Sequence, residues 1–269
     1  MKNTTNKTRG GNFKTRFKSE SQQGIARLKQ PEILRYHDAD HLPAIVRKYI
    51  QHSGAFGKPM VLNLHAVFSG RMKQKPDGKW IEINASQYSF FDKPTRVFYI
   101  SSKMFGVPFD GLHLYKDDHA TMQIKLASVF KVANSHGPVM DKSETVTHFN
   151  DMCLLAPATL IDENIRWETM EHQIVKATYT NQSNTISAML YFNDNDELVN
   201  FVSEDRSMAM GKNAYLNYRW STPVNGYQDC DDRKVFSRAS ALWHSPQGEY
   251  VYAEFDLNKI EYNVSNFEA

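Results

Sequence analysis

The sequence predicts a mainly β (α+β) protein: a single large curved antiparallel sheet, or half-barrel, with a few helices packed on one face. Three observations carry this. Most of the chain alternates apolar and polar residues with a period of two, the runs are separated by Pro-, Gly- and Asn-rich turns, and only two stretches have helical spacing. The length of 269 residues suits one large β unit. A hydrophobic content of 41% with 12% aromatics supplies a sizeable core, because aromatic rings bury large areas and fit a pleated surface.

The first segment departs from this pattern. Residues 1–30 hold Lys2, Lys7, Arg9, Lys14, Arg16, Lys18, Arg27 and Lys29 against Glu20 alone, with Phe13 and Phe17 as the only aromatics. Little apolar surface and much charge predict a disordered basic leader, followed by a single β-rich domain over 31–269. The leader's charge suits weak contact with an acidic membrane surface, although a solvated tail is the simpler reading. The remainder carries 24 basic and 29 acidic residues. A mildly acidic body lacks the basic face that neutralises phosphates, which argues against a nucleic-acid partner. Cys153 and Cys230 form no paired motif and read as reduced thiols, hence a cytoplasmic protein. No apolar run reaches the length of a membrane-spanning helix.

The elements follow in order. Leu42, Ile45, Val46, Tyr49 and Ile50 share one helical face, opened by Pro43 and stopped by Gly54. Leu62, Leu64, Ala66 and Phe68 alternate with polar neighbours, and so do Ile81, Ile83 and Ala85; Pro76-Asp77-Gly78 is the turn between them. Further strands are expected over 96–101, 112–116, 119–130, 164–170, 173–179, 185–192, 198–207, 235–243 and 249–262. A second helix spans 142–155, where Val146, Phe149, Met152 and Cys153 are helically spaced and Pro157 ends the run.

Chemical motifs are sparse. His113 and His119 flank Asp117-Asp118, and Asp229, Asp231 and Asp232 surround Cys230, but neither group has metal-ligand spacing and both read as charged turns. His148 and Cys153 point apart on their helix. There is no nucleophile elbow and no glycine-rich phosphate loop after a strand. No catalytic residue, metal or cofactor is therefore assigned.

Over residues 39–263 the chain resembles a bacterial family catalogued only as a domain of unknown function. The resemblance rests on Leu42-Pro43 with Val46 and Tyr49-Ile50, on Trp80, Ala85, Gln87 and Pro94, on Ala156-Pro157 before Trp167-Glu168, on Phe192-Asn193, Leu198 and Asp205-Arg206, and on Trp243 and Tyr262-Asn263. It implies a topology similar to lipoprotein-carrier proteins, in which a curved sheet wraps an apolar cavity. Two departures stand out: this chain has no apolar N-terminal segment, and Asn150-Asp151 lies where the family has an acidic residue on its central helix.

The most informative feature is apolar excess. Val97–Ile100 does not alternate, and Met104, Phe105, Val107, Phe109, Leu112, Leu114, Met122, Ile124, Leu126, Val129, Phe130 and Val132 follow closely. A strand apolar on both faces is buried on both. With the resemblance, this predicts that a lipid or other apolar small ligand binds the concave face. The expected lining is Phe98, Ile100, Phe105, Leu114, Met122, Leu126 and Trp167, with Tyr99 and Arg206 as polar contacts. Two alternatives remain open: an enzyme with its site in the same cavity, marked by converging titratable groups, or a scaffold protein with a filled core.

Overall fold

A computed structural model describes residues 12–104, 106–126, 130–211 and 214–268. The strands begin with a meander: β1 (Asn63–Met72), β2 (Ile81–Phe90), β3 (Thr95–Met104), β4 (Val107–Lys116), β5 (His119–Leu126) and β6 (Phe130–His136). Helix α1 (Phe13–Ala26) and helix α2 (Ala44–His52) precede it, and helix α3 (Pro138–Leu155) follows. A second meander runs through β7 (Ile165–Glu171), β8 (Ile174–Asn181), β9 (Asn184–Phe192) and β10 (Leu198–Ser203). Two small hairpins, β11 (Ser207–Gly211) with β12 (Ala214–Asn217) and β14 (Tyr227–Cys230) with β15 (Arg233–Phe236), flank β13 (Arg219–Ser221). The chain ends with β16 (Arg238–Ser245) and the long β17 (Gly248–Tyr262).

Thirteen strands form one antiparallel sheet in the order β6-β5-β4-β3-β2-β1-β17-β16-β13-β10-β9-β8-β7. The predicted mainly β, curved antiparallel architecture is what the chain adopts. The span 119–130, expected as one strand, is instead a hairpin of β5 and β6. β17 closes onto β1, so the first and last strands form the centre of the sheet and the two meanders form its wings. Where they pair, a Cβ on Gly70 would lie 2.2 Å from the Glu254 carbonyl oxygen, so only glycine fits.

The wings curl until they touch. Asp117 and Asp118 both have positive φ, which gives the β4–β5 turn the twist that suits a two-residue hairpin. From this turn Asp118 accepts a hydrogen bond from Ser183 Oγ at 2.6 Å, and Tyr115 Oη accepts one from Asn181 Nδ2 at 2.6 Å. The enclosed space is filled by α3, which packs against β5 and β6 on one wing and β9 and β10 on the other. Nearly every residue from Met140 to Leu155 is buried. Its last carbonyls, which have no partner inside the helix, are capped from outside: Tyr49 Oη donates to Cys153 O at 2.8 Å and Tyr262 Oη to Leu155 O at 2.7 Å.

The basic leader requires a correction. From Asn12 onward it is ordered, and residues 1–11 lie outside the described residues. Asn12 caps α1 by accepting from the Lys14 N–H, and Phe13, Phe17, Ser21 and Gly24 turn inward. Their spacing of four and three is one helical face. It covers Tyr88, Phe90, Val97, Leu112 and Leu114 on the convex side of β2–β4. Phe13 and Phe17, flanked by the partly buried Ile25 and Leu28, suffice because the sheet supplies the rest of that core.

Gly24 lies so close to Phe90 that a Cβ there would fall 2.2 Å from the ring. Gly24→Ala is therefore expected to lower stability by about 1–3 kcal/mol through overpacking, read as a fall in the urea midpoint at unchanged slope. An unchanged midpoint would mean that α1 is not docked as described.

Candidate functional site

The concave face is defined by register. Phe98 pairs with Gln87 and His113, Ile100 with Ala85 and Gly111, and His113 with Met122. These residues, together with Arg96, point toward α3, while Val97, Tyr99, Leu112 and Leu114 point the other way. Tyr99 and Leu114 are thus corrected: they lie beneath α1 on the convex side, and Tyr99 Oη donates to Asp110 there at 2.8 Å. Leu126 and Phe105 of the expected lining fall outside the described side chains, as do Met104, Val129, Phe130 and Val132. Phe98, Ile100, Met122 and Trp167 do face inward. Trp167 is separated from the other three by α3 and stands on the opposite wing, opposite Ala177.

What the helix brings into this space is charge. Glu144 and Asp151, two turns apart on α3, face β2–β4. Arg96 Nε meets Asp151 Oδ2 at 2.7 Å, Gln87 Nε2 donates to the same oxygen at 2.7 Å, and Arg96 Nη2 donates to Gln87 Oε1 at 3.0 Å. Glu144, 1% exposed, has His113 Nε2 at 3.1 Å, Arg206 Nη2 at 3.6 Å and Arg96 Nη1 at 4.0 Å. Two carboxylates thus meet two guanidiniums, which is how buried charge is tolerated.

Arg206 stands at the far side of this cluster. Its guanidinium lies 4.6 Å from the Trp220 ring centre and 5.3 Å from that of Trp243. It donates from Nε to Thr147 Oγ1 at 3.2 Å and from Nη1 to Tyr252 Oη at 3.4 Å. Next to it the middle of the sheet carries an aromatic floor. Phe68, Phe98 and Phe255 have ring centres 5.9–6.5 Å apart, and Arg96 lies 4.4 Å over Phe98. Phe255 is only half-buried, as are Met72, Phe109, Met208 and Tyr252, which pack against the same core.

The open cavity expected on the concave face is replaced by α3. Elsewhere, a depression of about 550 Å³ is lined by residues of 30–38 and Pro59, and a narrow crevice too small for a water lies at the C-terminal end of α3 beside Tyr262.

Sequence reasoning missed Gln87, Arg96, His113, Glu144 and Asp151 as a unit. The 142–155 helix lacks the continuous polar face of a surface helix, but nothing in its sequence names the strand residues it meets. The two histidines first compared as metal ligands part company, since His113 is interior while His119 is exposed beside Asp141. Asp231 forms the tight turn between β14 and β15, consistent with the charged-turn reading.

Burial also sets the proton chemistry. It pushes the His113 imidazole down to about 4, against the pull of Glu144, and His148 down to about 3. Neither ring nitrogen of His148 has a hydrogen-bond partner among the described residues. Burial moves the Asp151 carboxyl in the other sense, upward, opposed by Arg96 and Gln87.

The fold and site together define a half-barrel whose concave face holds a charged helix beside an aromatic floor. Residues 32–255 match a family described as a family of unknown function, DUF6544, and the chain belongs to it. Solved structures with a similar fold include a LolA superfamily protein from Nitrosomonas europaea, 12% identical over 81% of this chain and 93% of that one, with a TM-score of 0.46. Another is a DUF1329 family protein from Desulfovibrio piger, 9% identical over 88% of this chain and 96% of that one, with a TM-score of 0.47. No curated protein matches the sequence. A family of unknown function is what the sequence led one to expect.

Both histidines are neutral when folded and titrate near 6.5 when unfolded, so the unfolded chain takes up protons first as pH falls. Their stability contribution is complete above pH 6.5 and is lost toward pH 4, by up to about 1.4 kcal/mol per pH unit for each imidazole. Asp151 acts in the opposite sense, so the test is a difference: His148→Leu should flatten urea-measured stability between pH 6.5 and 4 relative to the parent. Parallel profiles would show that His148 is not held neutral.

Proposed function

We propose that the protein binds a lipid or similar elongated apolar ligand on the concave face, seated on the floor of Phe68, Phe98 and Phe255. The observation that carries this is the partial exposure of Phe255, whose ring completes the floor, and of other apolar residues packed against the same core. Large apolar residues left partly uncovered in a concavity mark a binding surface more often than a packing fault.

The hold on α3 supports the same reading. The side of the helix facing β2–β4 is attached through ion pairs and hydrogen bonds, and such pairs contribute little net stability once desolvation is counted. An acyl chain sliding along the floor gains about 0.8 kcal/mol per buried methylene. Eight methylenes would contribute roughly 6 kcal/mol, enough to shift that side of the helix outward. Phe98, Ile100 and Met122 then line the path, with Trp167 on the opposite wing. On the convex side, Lys14 and Lys18 of α1 are exposed, which suits weak contact with an acidic membrane surface. The two free thiols keep a cytoplasmic location as the proposed one.

One observation favours a second reading. His113 and Glu144 approach to 3.1 Å within a group of titratable residues, as in an acid–base enzyme using the same face. Chemical change of the bound ligand on incubation, lost in Glu144→Gln, would select it.

The test is native mass spectrometry of freshly purified protein with lipid extraction, followed by titration with a brominated fatty acid. Trp220 and Trp243 stand beside the floor and should be quenched. Phe98→Ala is expected to weaken binding at least about tenfold, equal to 1.4 kcal/mol, whereas Leu114→Ala, on the convex side, should leave affinity unchanged. No co-purified lipid and no quenching, or equal effects of the two substitutions, would overturn the proposal.

A further inference from the structure

On the convex side, away from the proposed ligand face, one ring nitrogen of a buried histidine, Nδ1 of His65, has no hydrogen-bond partner among the described residues. His65 of β1 is 3% exposed. Its ring stacks on Tyr88 with centres 4.3 Å apart and planes 8° from parallel. Nε2 lies 2.9 Å from Ser86 Oγ, while Nδ1 is buried with no hydrogen-bond partner. Nδ1 faces Glu261 Oε2 of β17 at 3.7 Å, too far for a hydrogen bond.

A second carboxylate is delivered by the chain after β17. Asn263 anchors that segment by accepting from the Leu62 N–H and donating to Met60 O, each at 2.9 Å. Phe267 packs against Phe17 and Tyr88, and the Glu268 N–H donates to Tyr88 Oη at 2.8 Å. Glu268 is thereby brought to the histidine, and donor atoms of His65, Glu261 and Glu268 all lie within 4.8 Å of one another. Among the described residues the cation found between the two carboxylates is the Lys259 ammonium, 2.8 Å from Glu261 and 2.6 Å from Glu268. Its side chain is 44% exposed.

We infer that His65, Glu261 and Glu268 form a binding site for a divalent transition-metal ion, Zn²⁺ by its imidazole–carboxylate donor set. Two carboxylates against one ammonium leave a negative charge, and a divalent ion in place of the ammonium balances it. The buried Nδ1 gains the partner it lacks. Ser86 holds the other ring nitrogen, the kind of outer contact that orients a metal-binding imidazole. Zinc takes nitrogen and oxygen donors at about 2.0–2.2 Å. The two glutamates are partly exposed and can close the remaining distance, while Lys259 swings into solvent. A fourth position stays open to water. The ion would clasp residues 263–268 against β1 and β17, and so fasten the strip that Phe267 and α1 cover.

The experiment is titration of chelator-treated full-length protein with Zn²⁺ by calorimetry, and with Co²⁺ by its visible absorption. One ion per chain is expected, with a rise in Tm. His65→Ala and Glu268→Gln should each weaken binding at least about a hundredfold, the upper end of the cost of losing an outer-shell partner. Lys259→Met should strengthen it roughly tenfold by removing an adjacent like charge. Glu268 and Lys259 are exposed enough that their variants will fold even if His65→Ala does not. No stoichiometric binding, or binding unaltered by Glu268→Gln and Lys259→Met, would overturn the site.

Discussion

The burial of a charged helix inside a curved sheet is the constraint on which the rest of this structure depends. Arg96 alone touches Asp151, Gln87 and the surroundings of Glu144, so it joins β2, β3 and two turns of α3 in a single group. Removing one member of such a group leaves a charge without compensation, which costs far more than the group contributes when intact. That asymmetry explains several features at once. Strands β2–β4 must keep their register, since a slip of one residue would turn Gln87, Arg96 and His113 to the convex side. The first wing must reach α3 closely enough to satisfy Asp141 and Thr145, and the two wings must meet for Asn181 to donate to Tyr115, where the contact between the Asp118 and Ser183 turns holds them.

The period-two pattern made the strands legible because each wing has an inner and an outer face with different partners. The helix over 44–52 was legible for the same reason, its apolar side being continuous. The site was not. Arg96 and Gln87 sit on strands nine residues apart, and Glu144 lies far along the chain on another element, so nothing local marks them as partners. Their meeting is a product of topology, with α3 carried back across the concave face between two meanders. The leader was misjudged because Phe13 and Phe17 are too few to form a core by themselves; they complete one that Tyr88, Phe90, Val97 and Leu112 had already half built.

The convex cover also changes the meaning of the apolar run at 97–100. Continuous hydrophobicity there suggested a cavity lining, yet half of it is answered by α1. Val97 and Tyr99 belong to the outer core and Phe98 and Ile100 to the inner face, so only the latter pair is available to a ligand. This halving puts Leu114 and Tyr99 on the convex side and leaves Phe98 and Ile100 on the concave one.

The proposed ligand face has a particular energetic character. Its apolar part, Phe68, Phe98 and Phe255, is rigid because it is built on central strands whose backs are buried or paired. Its polar part, Glu144 and Asp151, rides on a helix, which no strand pairing holds. Any ligand that covers the floor must therefore work against side-chain ion pairs and not against backbone pairing, and ion pairs can be exchanged for others or for water without unfolding the sheet. The proposed occupant and the helix compete for one concavity. The sheet that shapes it is insulated from that competition by α1 and by the segment after β17 on its opposite side.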